Sequence, residues 1–190
     1  MERLARIRLL GKARLFVVAA AALVAAAAAD GKIFLTQEEA LKLAFPGAKI
    51  ERRTAYLTAA QQKAAQKLSG DPEPPSALAP YAVGTKDGRL VGTAYFDTHI
   101  VRTMPETIMV VVDPAGAIAR IEVLSFAEPE EYLPKAHWYE QFQGKPLDDE
   151  LSMKRGIRPV TGATLTARAT TDAARRVLAL HKVLQEAPKP

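Results

Sequence analysis

The chain contains no cysteine in 190 residues, and this absence excludes several kinds of chemistry. Disulfide bridges, thiolate zinc sites, iron–sulfur clusters, c-type haem attachment and a lipoprotein anchor all require that residue. The three histidines, at positions 99, 137 and 181, lack the spacing of a metal-ligating pair. If electrons pass through this protein, an organic cofactor must therefore carry them.

Most of the chain also lacks an excess of either charge. The formal net charge is +5, but the first 29 residues hold five of the 26 basic residues and one of the 21 acidic ones. The remaining body has 21 basic and 20 acidic residues, which is a net charge of +1. A body this close to neutral argues against binding of DNA or RNA.

The first 29 residues have the layout of an export segment. Residues 1–14 are basic, residues 15–29 are uncharged and rich in alanine, and three alanines precede Asp30 as in a small-residue cleavage site. The apolar run is shorter than the ~20 residues that span a bilayer comfortably. Residues 1–29 are therefore either a cleaved signal peptide or a hydrophobic helix kept as a membrane anchor. Both hypotheses place the body in the periplasm or on the outer face of the inner membrane.

Residues 30–80 are predicted to form a segment of helices and extended chain. Thr36-Gln37-Glu38-Glu39 and Thr58-Ala59-Ala60-Gln61 are capping boxes, and each predicts the start of a helix. We expect the first helix to end at Pro46-Gly47 and the second near Gly70, with extended chain over residues 48–57 between them. Residues 71–80 contain four prolines, which predicts a loop.

From residue 81 onward the pattern indicates β-structure followed by helices. Short turns separate four predicted strands at 81–85, 90–97, 107–112 and 117–124, and this arrangement favours an antiparallel meander. A short helix is expected at 137–142, a helical turn at 148–153 and a long helix at 165–184. The predicted fold is thus α+β: a twisted antiparallel sheet flanked by helices, with residues 81–186 as the functional domain. No βαβ unit, dinucleotide loop or P-loop motif is visible.

The long helix follows the run Thr161-Gly162-Ala163-Thr164-Leu165-Thr166. Gly162 permits a tight turn, and the free amides and positive dipole end of a helix N-terminus attract anions. Small side chains would let a phosphate approach the backbone, and the threonine hydroxyls could bond to it. A plain helix cap uses the same residue types, so the pattern itself leaves both interpretations open.

This run resembles the Ser/Thr-Gly-Ala-Thr motif of the FMN-binding domain family. That family includes flavin subunits of the sodium-pumping NADH:quinone reductase and of Rnf-type electron-transport complexes. The likeness extends upstream through residues 128–129 and 141–145 and covers most of residues 81–184. It implies FMN as the cofactor, held at residues 161–166 and joined to Thr164 by a phosphoester bond that a dedicated flavin transferase makes. This chain has Arg158 where the family usually has an acidic residue, so noncovalent FMN and a transferase with looser recognition are the alternatives.

Four other residues are candidates for contact with a flavin. Glu128 could hydrogen-bond near it, and Trp138 could stack on its ring or fill the core instead. His99 and Arg102 lie in a segment similar to small members of the family, and Arg102 could pair with the phosphate or the reduced ring, or be a plain surface arginine. A further set of charged residues is predicted to form an exposed face of the last helix: Arg168, Asp172, Arg175 and Arg176.

The resemblance implies an electron carrier more than a self-contained catalyst. It would exchange electrons with redox partners, such as a quinone-linked membrane complex or a cytochrome. One alternative is an exported FMN-binding regulatory or assembly module without electron transfer. Another is a flavin reductase or oxidase that acts alone, although no nicotinamide-binding motif is visible.

Overall fold

The computed structural model describes residues 32–186, so the expected export segment and its hydrophobic helix lie outside the described part of the chain. Within residues 32–186, no helix is both long enough and apolar enough to cross a membrane. In chain order the elements are β1 (Lys32–Ile33), α1 (Gln37–Ala44), β2 (Lys49–Tyr56), α2 (Ala59–Ser69), β3 (Leu78–Lys86), β4 (Arg89–Ile100), β5 (Pro105–Val112), β6 (Ile118–Phe126), α3 (Ala136–Tyr139) and α4 (Thr164–Glu186).

All six strands join one antiparallel sheet in the order β1-β6-β5-β4-β3-β2. The four predicted strands are β3 to β6, and the predicted meander is confirmed. The tight turn between β3 and β4 has positive φ at both Asp87 and Gly88, as the primed hairpin turns require. Residues 32–56 extend the sheet at both edges, since β1 pairs with β6 and β2 pairs with β3.

The starts of the first two helices are confirmed. The Thr36 side chain accepts a hydrogen bond from the Glu39 amide, and Thr58 does the same with Gln61, so both capping boxes are complete. The second helix ends at Gly70 with φ +76°, the usual left-handed helix end. The predicted helical turn at residues 148–153 is wrong: that segment forms bends and turns, and the Gly156 amide donates to the Glu150 carbonyl.

Each face of the sheet is covered by helices. On one face, Leu41 and Phe45 of the α1 region pack on residues such as Met109 and Val111. On the other face, α4 and the region around α3 pack on the sheet through a larger apolar cluster. The outer side of α4 is covered in turn by α2. The helix α4 is therefore held between the sheet and α2, which packs against its C-terminal half.

Candidate functional site

Two side chains bind the backbone of the segment that precedes α4. The Arg158 amide donates to Gln141 Oε1 at 2.7 Å, and the Arg158 carbonyl accepts from Trp138 Nε1 at 2.7 Å. The chain then turns at Gly162, where φ is +85°, a conformation that favours glycine. The buried Ala163 follows, and its carbonyl accepts the first α-helical hydrogen bond of α4 from the Ala167 amide.

Within residues 32–186, no side chain caps the first turn of α4, unlike the first turns of α1 and α2. Within the described residues, the amides of Thr164, Leu165 and Thr166 bind no acceptor. The first amides of a helix need partners from outside the helix, and together with the helix dipole they favour an anion. The geometry around residues 161–166 is therefore suited to a phosphate.

The three threonines of this segment differ in their surroundings. Thr161 is exposed, and so is Thr164, whose hydroxyl donates to the Val160 carbonyl at 3.0 Å. Thr166 is only 1% exposed, and its hydroxyl donates to the Tyr132 carbonyl at 2.6 Å. Thr164 is thus the hydroxyl of α4's first turn that a reagent can reach, whereas Thr166 joins α4 to the segment that follows β6.

Two adjacent cavities lie beside this helix end. The first, here called the corner cavity, has a volume of about 160 Å³ and is lined by residues 162–166, Arg102 and Tyr132. The second, here called the side cavity, has a volume of about 310 Å³. It is lined by His99, Ile100, Val101, Arg102, Leu165, Arg168, Ala169, Asp172 and Arg176. Arg102 and Leu165 form part of both walls.

Arg102 brings a positive charge to the corner cavity from another part of the sheet. It lies in the hairpin loop between β4 and β5, where the Val101 amide donates to the Met104 carbonyl. Its φ is +43°, an uncommon backbone conformation for a residue other than glycine. The guanidinium carbon lies 4.5 Å from the centre of the Tyr132 ring, within the range of a cation–π interaction.

Comparison with known proteins assigns this arrangement to a family. Residues 104–179 match the family model described as FMN-binding domain, and this stretch includes all of residues 161–166. This stretch is therefore similar in sequence to FMN-binding domains. The family indicates FMN as the cofactor, and a helix end with three free amides, an open glycine turn and a nearby arginine fits its phosphate.

The fold of the FMN-binding domain also has a counterpart among solved structures. The chain is similar to the crystal structure of NqrC from Shewanella oneidensis, with 17% sequence identity and a TM-score of 0.53. The alignment covers 84% of this chain and 94% of that chain. At this identity the likeness concerns the fold. No curated protein matches the chain.

Two of the other predicted residues are buried and do not line the corner cavity. Glu128 is buried, and its Oε1 accepts hydrogen bonds from the loop that contains Arg102. Trp138 is also buried, packs edge-on against Tyr139 and Phe142, and lines neither cavity. Its indole fills the core and fixes the Arg158 carbonyl, so it positions the approach to α4.

His99 lines the side cavity and belongs to a buried network of charged groups. Its Nδ1 lies 2.9 Å from Asp97 Oδ1, and its Nε2 lies 2.9 Å from Glu106 Oε2. Burial opposes the charged form of His99, but the hydrogen bonds with both carboxylates outweigh it and raise the pKa of His99 to about 9. Burial likewise opposes ionisation of Asp97, yet His99 and Arg176 lower its pKa to about 2.

The network extends to α4 through two side chains. Arg176 donates to both carboxylate oxygens of Asp97, at 2.8 and 3.2 Å, and to Asp71 at 3.0 Å. Thr170 Oγ1 donates to Glu106 Oε2 at 3.3 Å. Glu106 is fully buried, and its Oε1 has no partner among the described residues.

The predicted exposed face of α4 is therefore wrong for two of its four residues. Arg176 pairs with Asp97 and Asp71, and Arg175 donates to the carbonyls of Ser69, Asp148 and Leu151. Sequence reasoning also missed Asp97, Glu106 and Tyr132, and it gave Gln141 no role beyond its place in the family likeness. One signal was available: Glu106 stands in a strand that is otherwise β-branched and apolar, and such a charge must be paired when the strand is buried.

Proposed function

We propose that this protein is an exported or membrane-anchored flavoprotein that carries FMN on Thr164 and transfers electrons between redox partners. The observation that carries this proposal is the uncapped first turn of α4, which presents the exposed Thr164 within the stretch matched by the family.

Charge and shape support Thr164 as the attachment point. A phosphoester keeps one negative charge on the phosphate, which the amides of residues 164–166 and the helix dipole would stabilise. Gly162 has open space where a side chain would stand, so a phosphate and ribityl chain can approach the backbone. Arg102 lines the same cavity and supplies the counter-charge.

The linkage requires an activated flavin donor. With a donor in which the FMN phosphate forms part of a diphosphate, such as flavin adenine dinucleotide, Thr164 Oγ1 forms a new P–O bond. The P–O bond of the diphosphate breaks, adenylate leaves, and the threonine proton passes to a base of the transferase. The hydroxyl then no longer donates to the Val160 carbonyl, as it does in the unmodified protein.

The wider site is compatible with a carrier. FMN supplies the ability to accept two electrons and release them singly. Ile100 and Leu165, which line the side cavity, are 61% and 53% exposed, so a cofactor at this corner stays accessible to another protein. This accessibility supports exchange with a membrane redox complex or a cytochrome rather than catalysis in a sealed pocket.

The attachment is tested by expressing the full chain together with a flavin transferase and comparing wild type with Thr164→Ala. We expect the wild-type band to fluoresce after denaturing electrophoresis and its intact mass to rise by one FMN, whereas the Thr164→Ala band stays dark. Thr54→Ala is the control, because Thr54 is also exposed but lies on β2, outside residues 161–166; its band should fluoresce. A fluorescent Thr164→Ala band would refute Thr164 as the attachment point.

Electron transfer and export are tested on the same preparation. Mixing the loaded protein with a reduced quinol or cytochrome should bleach the flavin absorbance rapidly if the protein is a carrier. A flavin that stays oxidised would favour a regulatory module instead. The intact mass also shows whether residues 1–29 are retained, and recovery of the protein only from the cytoplasm would refute export.

A further inference from the structure

The hairpin loop that carries Arg102 is held by a single carboxylate oxygen. Glu128 Oε1 accepts hydrogen bonds from the Thr103 amide at 2.8 Å, the Thr103 hydroxyl at 3.0 Å and the Met104 amide at 2.9 Å. These bonds, led by that of the Thr103 amide, lower the pKa of Glu128. The residue follows β6, so it reaches the β4–β5 loop from a different part of the sheet.

The loop needs such support because its backbone is strained. Arg102 has a left-handed φ of +43°, which is unfavourable for a residue with a Cβ and persists only when its surroundings enforce it. Three donors of the next two residues converge on Glu128. The carboxylate therefore fixes the loop on the C-terminal side of the strained residue.

Arg102 is also connected to the first turn of α4 through Tyr132. Its guanidinium stacks on Tyr132, and the Tyr132 carbonyl accepts from the Thr166 hydroxyl in the first turn of α4. Arg102, Tyr132 and residues 162–166 line the corner cavity together. Glu128 does not line it, because its bound oxygen faces the loop.

We propose that Glu128 is a positioning residue: it does not contact FMN, but it holds the β4–β5 loop so that Arg102 places its charge against the FMN phosphate. The inference rests on the proposed function and assigns roles to two residues within it. A glutamate whose charge faced the phosphate would repel it. Here hydrogen bonds from the loop stabilise that charge away from the cavity, and the arginine lines the cavity instead.

Phosphorus NMR of the FMN-loaded full chain tests this, since it reports on the phosphate itself. The Arg102→Gln change should shift the FMN phosphorus resonance, and Glu128→Ala should shift it in the same direction. If Glu128 acts through Arg102, the double variant should match Arg102→Gln alone. Glu128→Gln keeps a carbonyl oxygen for the loop donors, so it should restore most of the wild-type position. Glu131→Ala, at an exposed neighbouring carboxylate, is the matched control and should shift nothing.

A second readout does not depend on the flavin. In the unloaded protein, hydrogen exchange of the Thr103 and Met104 amides should be faster in Glu128→Ala than in wild type, and Glu128→Gln should be intermediate. The inference is overturned if Glu128→Ala leaves the phosphorus resonance in place while Arg102→Gln moves it, or if the two shifts add. A wild-type chain that binds no FMN would overturn the proposed function and this inference with it, whereas unchanged amide exchange would overturn the inference alone.

Discussion

Raising the pH should weaken the folded state through one buried histidine. Asp97 on β4, Glu106 on β5 and Arg176 on α4 are the charged groups around His99, and the two carboxylates raise its pKa from 6.5 to about 9. Because this pKa is higher in the folded state, the stabilisation is fully present below pH 6.5 and is lost as the pH rises through about 9. Since each unit is worth 1.36 kcal/mol, we expect a loss on the order of 3 kcal/mol.

Urea unfolding at a series of pH values from about 7 to about 10 measures this loss directly. The range begins above the ordinary pKa of histidine because His181 affects stability below that pH. Burial lowers the pKa of His181, so its titration makes the folded state more stable as the pH rises, which is opposite to the effect of His99. Wild type should lose most of the stabilisation across the range, and His99→Gln should lose little. His137→Gln, at an exposed histidine, should follow wild type. A flat profile for wild type, or an equal decline in His99→Gln, would refute the reasoning.

Two further predictions concern the scaffold. A Cβ on Gly84 would lie 2.6 Å from Phe45 Cδ1, so Gly84→Ala should lower the free energy of unfolding by about 1–3 kcal/mol. Adding Phe45→Leu to the same chain should recover part of this loss. Equal stability of Gly84→Ala and wild type in urea would contradict the close contact between Gly84 on β3 and Phe45 at the end of α1. Thr58→Ala removes the capping box of α2 and should lower the free energy of unfolding by about 1 kcal/mol, whereas Thr58→Ser should lower it little. Thermal unfolding tests this: Thr58→Ala should melt at a lower temperature than Thr58→Ser, and equal melting temperatures would contradict the role of the hydroxyl.

The features that sequence predicted well depend on neighbours along the chain. Capping boxes at Thr36 and Thr58 involve residues three positions apart, and the turns of the meander join strands that are adjacent in sequence. The composition of residues 148–153 predicts a helical turn, but the segment forms bends and turns because it wraps the end of the core. There the Gly156 amide and Arg175 take up the carbonyls of Glu150 and Leu151.

The candidate site was predictable only where a motif lies within one short segment. Residues 161–166 fit a family pattern, whereas the buried network joins β4, β5, α4 and Asp71 across long sequence separations. Period-2 alternation places Asp97 and His99 on the same side of β4, but only the sheet register sets His99 opposite Glu106. The pairing of Arg176 with Asp97 depends on how α4 lies on the sheet, which no local pattern determines.

Strands β4 and β5 both contact α4, and the loop that joins them carries Arg102 near the N-terminus of that helix. His99 and Glu106 are paired across β4 and β5, and their network reaches α4 through Thr170 and Arg176. Immediately beyond this pair, the strands end in the loop that holds Arg102. A buried ionic network of this kind adds little net stability compared with apolar packing, but it joins α4 to both strands at defined positions. The network thus connects α4 to the two strands that carry the Arg102 loop, so we expect substitutions at His99 to disturb the corner cavity as well as the stability of the fold.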